Sequence, residues 1–335
     1  MVLKPRTLLL GGTACMLALA AAGWVRHGLL PTVTPPAHSE NCGPAPLATR
    51  AGPPGMAWVA GGRFTMGAAD TYPEEGPPVT RQVAGFWMDQ TEVTNARFAE
   101  FVAATGYVTL AERGIGNPLN PALPPRQGSA VFVPPSADTA LSPFMLGWAF
   151  ADGANWRQPR GPDSSIAGLE QHPVVHIAYE DAAAYASWLG HSLPTEAQFE
   201  FAAADAGRQN AAGEHIANTW QGAFPFRHDT EDGYLGTAPV ACYTANSRGL
   251  YDLIGNVWEW TASPYYLGHA SGQEQRYPQG FDPLQPEEPA VAVIKGGSFL
   301  CAPNYCMRYR PEARQGQSIG LGTSHIGFRT VYQPQ

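Results

Sequence analysis

Glycine and proline recur so densely along this chain that long helices are excluded from most of it. The 335 residues include 37 Gly and 32 Pro, two residue types that are penalised inside helices and favoured in turns. Aromatic residues make up 11% of the chain, whereas charged residues make up only 14%. Because so many large rings need burial, the bulk of the chain is expected to fold. The sequence therefore predicts a loop-rich fold with an aromatic core, and it argues against a helical bundle.

The charge of the chain argues against nucleic acid as a partner. The formal net charge is -8 at pH 7, so the composition gives no electrostatic reason to expect a nucleic acid partner. A mildly acidic protein is better suited to a divalent cation or a cationic peptide.

The first residues have the pattern of an export signal or a membrane anchor. Lys4 and Arg6 precede an uncharged stretch from Thr7 to Val25 that is rich in Leu, Ala and Gly, and this length is close to that needed to span a bilayer. Ala20-Ala21-Ala22 also offers a small-residue cleavage site. We therefore expect residues 1–28 to be a signal peptide or an N-terminal membrane anchor. The rest of the chain would then be exported to a periplasmic, extracellular or lumenal compartment, with membrane contact only through this segment.

The remainder divides into a linker and one domain. Residues 29–55 are rich in Pro and Ala without periodicity, which predicts an extended tether. The folded domain is expected over residues 56–335. Within it, the two apolar runs around Gly61-Gly62 predict a hairpin from Trp58 to Met66. Residues 204–335 are expected to be irregular and poor in strands, because short apolar runs alternate there with Gly, Asn and Asp.

Three helices are predicted from their start and stop signals. The first follows Thr94 and ends at Gly106, the second runs from Asp181 to Leu189, and the third begins with the capping box at Thr195.

Two cysteines five residues apart carry the strongest chemical signal. Cys301 and Cys306 lie in the run Gly-Gly-Ser-Phe-Leu-Cys-Ala-Pro-Asn-Tyr-Cys. Such a pair can form a disulfide, a reactive nucleophile pair or a two-thiolate site for Cu(I). The arginines at 308, 310 and 314 would lower the pKa of a thiol if they lie near the sulfurs. The spacing alone leaves a structural disulfide and a reactive site open.

The chain has three further cysteines. Cys15 lies in the apolar N-terminal stretch, and Cys42 and Cys242 are a possible bridge in an oxidising compartment.

Two segments rich in oxygen ligands precede the cysteine pair. One runs from Asn218 to Tyr234 and the other from Asp252 to Trp260, where Asp252 and Glu259 could converge around a glycine turn. Hard cations such as Ca²⁺ take six to eight oxygens, often mixing carboxylates with backbone carbonyls. Neither segment has EF-hand spacing, so turn and cap hydrogen bonding remains the alternative for both.

Seven blocks together resemble the formylglycine-generating enzymes, also called sulfatase-modifying factors. The blocks are Gly61–Gly67, Trp87–Asn95, Gly153–Arg157, Leu193–Ala197, Gly249–Trp260, Gly296–Ser298 and Gly327–Arg329. The resemblance extends from about Met56 to Tyr332. It implies an irregular α+β domain of low secondary-structure content, with the duplicated C-type-lectin-like fold of that family. Residues 56–335 would then be a catalytic domain of this kind.

The resemblance also implies an activity. Members of the family use O2 and Cu(I) to oxidise the cysteine of a Cys-x-Pro-x-Arg motif to formylglycine, acting on an unfolded or nascent sulfatase polypeptide. By resemblance, Cys301 and Cys306 would hold copper and exchange with the substrate thiol. Ser298 would line the oxygen site, and Trp258 would form a wall of the substrate groove. Two soft thiolates suit Cu(I) better than a hard ion.

Two structural Ca²⁺ sites are implied in the same way, with some of the ligands being backbone carbonyls. The first set is Asn218, Thr219, Asp232 and Tyr234, and the second is Asp252, Gly255, Val257 and Glu259.

The chain departs from the family pattern at several positions, and two alternative functions follow from the superfamily. Pro311 and Thr330 stand where vertebrate members carry disulfide cysteines, and residues 204–217 replace a Tyr-Pro-Trp-Gly block. One alternative is a non-catalytic lectin-like binding module in which Cys301 and Cys306 form a permanent disulfide. The other, an iron-dependent relative that joins sulfur to histidine derivatives, has no support because its His-rich motif is missing.

Overall fold

The computed structural model describes most of the domain and little of what precedes it. The described residues are 42–44, 52–116, 122–135, 147–269, 276–283 and 290–334, and all of them fall within one unit, Pro35–Gln335. The predicted signal or anchor, Cys15 and most of the predicted linker lie outside these residues. No helix in the described ranges is long and apolar enough to cross a membrane.

The regular elements are short and lie between long connections. The helices are α1 (Asn95–Thr105), α2 (Leu110–Arg113), α3 (Tyr179–Trp188) and α4 (Glu196–Ala202), with a 3-10 turn at Pro73–Glu75. The strands are β1 (Met56–Val59), β2 (Gly62–Met66), β3 (Val79–Val83), β4 (Phe86–Asp89), β5 (Gly128–Phe132), β6 (Trp148–Asp152), β7 (Trp258–Pro264), β8 (Val291–Lys295), β9 (Arg314–Ser318), β10 (Ile326–Gly327) and β11 (Val331–Tyr332). The predicted irregular α+β class is confirmed.

The three predicted helices are present, and their ends have the expected caps. The Thr94 hydroxyl accepts the Arg97 N–H at 3.3 Å, and α1 ends at Gly106 in the left-handed region. The Thr195 capping box starts α4. Helix α3 begins two residues earlier than predicted, because the Asp181 carboxylate accepts the Ala178 N–H at 2.9 Å and so caps the helix from its first turn.

The predicted hairpin from Trp58 to Met66 is wrong. Strand β1 pairs with β4 in a three-stranded sheet completed by β11, whereas β2 pairs with β3. A Cβ at Gly61 would lie 2.5 Å from the Val83 carbonyl oxygen. Gly61 therefore allows two backbone segments to approach closely and does not form a hairpin turn.

The prediction that residues 204–335 are irregular and poor in strands is confirmed for residues 204–257, which contain no helix or strand, but is wrong for the sheet that follows. Strands β10, β7, β8 and β9 form a four-stranded sheet in that order, antiparallel except for the β10–β7 pair. All five residues of β8 are buried. Its partner β9, with the sequence Arg-Gln-Gly-Gln-Ser, has no apolar alternation, so the usual strand signal is absent.

The main hydrophobic core lies between α1, α3 and the four-stranded sheet. The ring of Phe98 contacts Trp156 and Tyr185 with centroids 5.2 and 6.0 Å apart. Cys301 and Cys306 belong to the same buried cluster. The cysteine pair is therefore packed into the core, and its loop follows directly from β8.

Candidate functional site

A double-glycine turn carries the chain from β8 into the cysteine loop, residues 298–308. Gly296 and Gly297 have φ angles of 92° and 76°, which disfavour other residue types. A Cβ at Gly297 would lie 2.7 Å from the Arg308 carbonyl oxygen, so the two ends of the loop are in contact. Within the loop, the Cys306 N–H donates to the Ala302 carbonyl at 3.0 Å.

The two cysteines face each other as thiols. Their sulfur atoms are 2.8 Å apart and are not joined by a bond, and their exposed fractions are 1% for Cys301 and 7% for Cys306. Burial and the hydrogen bond to Cys306 raise the pKa of Cys301. The Cys301 thiol, the Arg308 backbone N–H and the Arg308 charge together lower the pKa of Cys306 to about 7, although burial opposes them. One sulfur of the pair is thus suited to be a thiolate at neutral pH.

Of the three arginines near the cysteine loop, Arg308 is the one that acts on a sulfur. Arg308 is held by Glu74 at 2.5 Å and lies over the Tyr72 ring, with its guanidinium carbon 4.2 Å from the centroid. Arg310 pairs with Glu75, and Arg314 pairs with Glu196. All three arginines are thus paired with a glutamate, and Arg308 is the one whose backbone N–H and charge lower the pKa of Cys306.

This arrangement predicts a pH-dependent reactivity that belongs to Cys306. In the reduced, metal-free protein, iodoacetamide should label Cys306 before Cys301, with a rate that rises from about pH 6 to 8 as the thiolate forms. Arg308→Met should raise the pKa of Cys306 and slow labelling at neutral pH, because a nearby cation is lost. Arg310→Met is the matched control, because Arg310 pairs with Glu75. Peptide mass spectrometry gives both rates, and an unchanged midpoint in Arg308→Met would contradict this account.

The two other predicted site residues, Ser298 and Trp258, are both deeply buried. Ser298 is fully buried, and its carbonyl accepts the Cys301 N–H at 2.9 Å. Trp258 is 2% exposed and packs in the same core cluster as the cysteines. Ser298 therefore lies in the cysteine loop, whereas Trp258 shares only the core cluster with it, and their roles at oxygen and substrate remain predictions.

An aromatic surface beside the cysteine loop was not found from the sequence. Tyr305, between the two cysteines, stacks on Phe224 with centroids 4.2 Å apart. Phe224 in turn contacts Trp220 and Phe132. Tyr305 is 46% exposed and the nearby Phe226 is 64% exposed, so apolar surface is available to another molecule. These rings come from three distant segments, and no sequence spacing connects them.

A polar cavity of about 220 Å³ opens next to the same loop. Its lining includes Pro303 and Asn304 from between the cysteines, together with Gln221, His215 and Glu231. The His215 ring nitrogen and the Glu231 carboxylate are 3.2 Å apart. The cavity is therefore an opening beside the cysteine loop.

The first predicted calcium set is brought together. Asp232 accepts the N–H groups of Thr219 at 3.2 Å and Tyr234 at 3.1 Å. The side-chain oxygens of Asn218 and Thr219 are buried without a hydrogen-bond partner. Buried oxygens that lack donors fit a cation, because an unsatisfied acceptor is otherwise unfavourable in the interior.

The second predicted set adjoins the first. Burial raises the pKa of both Asp252 and Glu259, and the charge of Asp252 raises the pKa of Glu259 further. Gly255 has a φ of 80°, and a Cβ there would lie 2.3 Å from the Asn218 carbonyl oxygen. The Asn256 N–H donates to the same carbonyl at 2.8 Å. The backbone near both sets is therefore one packed unit.

Glu92 is a residue that the sequence analysis missed at the second set. It is fully buried, no N–H or hydroxyl group donates to its carboxylate, and its carboxyl lies within hydrogen-bond reach of Asp252, with which it can share a proton. Burial, followed by the charges of Asp252 and Glu259, raises its pKa, while Arg329 opposes the shift. The signal available was an acidic residue in Glu92-Val-Thr-Asn95, immediately before α1.

The donor chemistry of these sets calls for backbone oxygens. Among the described residues, no three His, Cys, Asp or Glu side chains converge so as to hold a metal. Any cation here would therefore need carbonyl and amide oxygens as well, which is the mixture that Ca²⁺ accepts.

The oxygen-rich segments support the cysteine loop directly. The Gly255 N–H donates to the Gly296 carbonyl, and the Phe299 N–H donates to the Asn256 carbonyl, each at 2.9 Å. The Trp220 N–H donates to the Cys301 carbonyl at 3.1 Å. A cation that ordered these segments would thus order the loop that carries the two sulfurs.

Comparison with known proteins gives a consistent picture. The family described as "Sulfatase-modifying factor enzyme 1-like domain" matches residues 44–334. The chain is 45% identical over 298 residues to the formylglycine-generating enzyme of Mycobacterium tuberculosis, covering 82% of this chain and 97% of that protein. It is 35% identical over 292 residues to the inactive C-alpha-formylglycine-generating enzyme 2 of Mus musculus, covering 82% and 85% of the two chains.

A solved structure shares the fold. PvdO from Pseudomonas aeruginosa superposes with a TM-score of 0.53 at 22% identity, covering 83% of this chain and 94% of that chain. At this identity the likeness concerns the fold alone.

Proposed function

The chain belongs to the sulfatase-modifying factor enzyme family, and we propose that it is a formylglycine-generating oxidase that activates sulfatases. Its substrate would be a sulfatase polypeptide, unfolded or nascent, that carries Cys-x-Pro-x-Arg, and its oxidant would be O2. The observation that carries the proposal is the buried pair of thiols 2.8 Å apart, one with a pKa of about 7. Such a pair can present two sulfur ligands to a soft metal ion.

Cu(I) is the proposed cofactor, held by Cys301 and Cys306. When bound, it would supply the one-electron chemistry with O2 that side chains cannot provide. The chain contributes a pre-formed pair of sulfurs, the positive charge of Arg308 beside an anionic site, and exclusion of water by the surrounding core. Burial strengthens the effect of the Arg308 charge, because the protein interior has a lower dielectric constant than water.

The overall reaction balances with a thiol as reductant. One substrate thiol, one O2 and two reducing thiols give one aldehyde, one hydrogen sulfide, one water and one disulfide. A C–H and a C–S bond of the substrate cysteine are broken, and a C=O bond is formed. The conversion therefore removes sulfur from the peptide.

Two Ca²⁺ ions are proposed as structural cofactors. The first would be held by Asn218, Thr219, Asp232 and Tyr234. The second would be held by Asp252, Gly255, Val257 and Glu259, with the negative charge of Glu92 close by. The unpartnered side-chain oxygens of Asn218 and Thr219 support the first site.

Export is the proposed localisation. The disulfide between Cys42 and Cys242 supports it, because such bonds form and persist in oxidising compartments. The N-terminal segment, cleaved or retained as an anchor, would direct the chain there.

Mass spectrometry of a peptide substrate tests the function. We expect reduced, copper-loaded protein to convert a Cys-x-Pro-x-Arg peptide in air to a product about 18 Da lighter. A peptide with Ser in place of Cys should not change. If the reduced protein binds no Cu(I) and leaves the cysteine peptide intact, the non-catalytic binding module is the better description.

A further inference from the structure

The Cys42–Cys242 disulfide lies in a turn that contacts both of the oxygen-rich segments. It joins residues 200 apart in the sequence, and the Gly43 N–H donates to the Ala241 carbonyl at 3.3 Å. The short segment 42–44 is thereby fixed to the turn around Cys242. This turn lies between the two proposed calcium sets.

The turn contacts the second set through a backbone hydrogen bond. The Ala241 N–H donates to the Asp252 carboxylate at 2.7 Å, and both residues are buried. Ala241 has a φ of 56°, a conformation that is unfavourable for a residue with a Cβ and persists only where the surroundings enforce it. The neighbouring disulfide is one such constraint.

The same turn contacts the first set through two tyrosines. The Tyr234 hydroxyl donates to the Cys242 sulfur at 3.6 Å, and the Tyr243 hydroxyl donates to the Asp232 carbonyl at 3.4 Å. Tyr234 and Asp232 are both proposed calcium residues. Loss of the covalent constraint would therefore release contacts to both sets together.

We infer that Cys42 and Cys242 are positioning residues for the two cation sites, through a disulfide that holds the turn at Ala241–Tyr243 against both of them. The inference rests on the calcium sites of the proposed function. Breaking the bond would leave the ligands present but less well ordered, so cation affinity should fall without vanishing.

Thermodynamic linkage requires the reverse effect as well. If the intact disulfide favours cation binding by some factor, bound cation must stabilise the disulfide by the same factor. Reduction by a dithiol breaks one S–S bond and gives two protein thiols and one cyclic disulfide. Calcium should therefore make this reduction less favourable.

The two cysteine pairs of the domain would then need opposite redox states. Cys301 and Cys306 must be reduced to bind copper, whereas Cys42 and Cys242 must be oxidised to order the cation sites. The reducing thiols that the reaction consumes would also tend to reduce the Cys42–Cys242 disulfide. Bound Ca²⁺ would make that reduction less favourable. One pair of cysteines could then be reduced while the other remains a disulfide.

Calorimetry of the full chain, stripped of metal, tests the inference with Ca²⁺ alone as the probe. We expect the Cys42→Ser/Cys242→Ser variant to bind Ca²⁺ about tenfold more weakly than the wild type with its disulfide intact. Phe101→Leu is the control for general destabilisation, because its ring contacts Tyr107, Tyr185 and Trp188 and neither cation set. It should leave the Ca²⁺ affinity unchanged.

A second measurement uses the wild type and avoids variants that fail to fold. The equilibrium constant for reduction of Cys42–Cys242, measured in a dithiothreitol series by alkylation and peptide mass spectrometry, should fall about tenfold in saturating Ca²⁺. Equal affinities in the calorimetry, or reduction that ignores Ca²⁺, would overturn the inference. If the wild type binds no Ca²⁺, both the calcium sites and the inference fail, whereas conversion of the peptide would still support the oxidase.

Discussion

Replacing either Cys301 or Cys306 with serine is expected to lower the rate of formylglycine formation at least about a thousandfold. A serine hydroxyl stays protonated at neutral pH and is a hard ligand, so it can replace neither a thiolate nor a soft donor for Cu(I). The two sulfurs lie 2.8 Å apart, and the loss of one leaves a site with a single sulfur. The rate is measured as loss of the cysteine peptide in the mass spectrum under saturating copper.

Serine is close to cysteine in size, so both variants should remain folded. Met307→Leu is the matched control. It removes the sulfur of the next residue, which is 41% exposed, and it should keep the wild-type rate. Thermal unfolding of all three proteins checks the fold. A serine variant that still converts the peptide at more than a tenth of the wild-type rate would exclude the two-thiolate site.

The cysteine pair shows how far sequence reasoning could reach. The spacing of Cys301 and Cys306 left a disulfide and a reactive site equally open, because distance along the chain does not fix the distance between sulfurs. The resemblance to a known family favoured the reactive site. The structure adds that Arg308, of the three arginines, is the one whose backbone N–H and charge lower the pKa of Cys306.

Local signals predicted helices well and strand pairing poorly. Caps such as Thr94 and Thr195 act within four residues of the chain, so they can be read from the sequence. The pairing of β1 with β4, and of β2 with β3, depends on contacts between distant segments. The double glycine at Gly61-Gly62 was interpreted as a turn, whereas it allows a close approach of two backbones.

Glu92 illustrates the remaining gap at the candidate site. It lies far along the chain from Asp252 and Glu259, so no motif spacing connects it to them. Only the fold shows that three buried carboxyl groups share one region and that no N–H or hydroxyl group donates to Glu92. A group of negative charges in the interior needs compensating positive charge, and the Arg329 guanidinium provides part of it.

Arg329→Met is therefore expected to lower the free energy of unfolding by about 3 to 5 kcal/mol. The side chain is fully buried and makes two hydrogen bonds to Glu259, at 2.7 and 2.8 Å. It also donates to the carbonyl of Tyr251 at 2.9 Å. Methionine keeps much of the volume and removes the charge, so Glu259 is left buried without its partner. Urea unfolding of the metal-free protein at neutral pH measures the loss.

Arg227→Met is the matched control for loss of an ion pair. Arg227 pairs with Asp229 at 2.9 Å, and their side chains are 70% and 33% exposed. Water already screens such a pair, so its loss should change the stability little. If the two variants lose a similar free energy of unfolding, the buried Arg329 pair stabilises the protein no more than an exposed pair does.

The pH dependence separates a loss of charge from a loss of packing at Arg329. Burial already raises the pKa values of Glu92 and Glu259, and removal of Arg329 should raise both further. A carboxyl with a raised pKa in the folded state binds protons more readily there than in the unfolded chain. The folded variant is therefore penalised as the pH rises, and the penalty shrinks as the pH falls. The deficit of Arg329→Met should thus be smaller at about pH 5 than at about pH 7. A packing defect would give the same deficit at both pH values, and that result would contradict the electrostatic account.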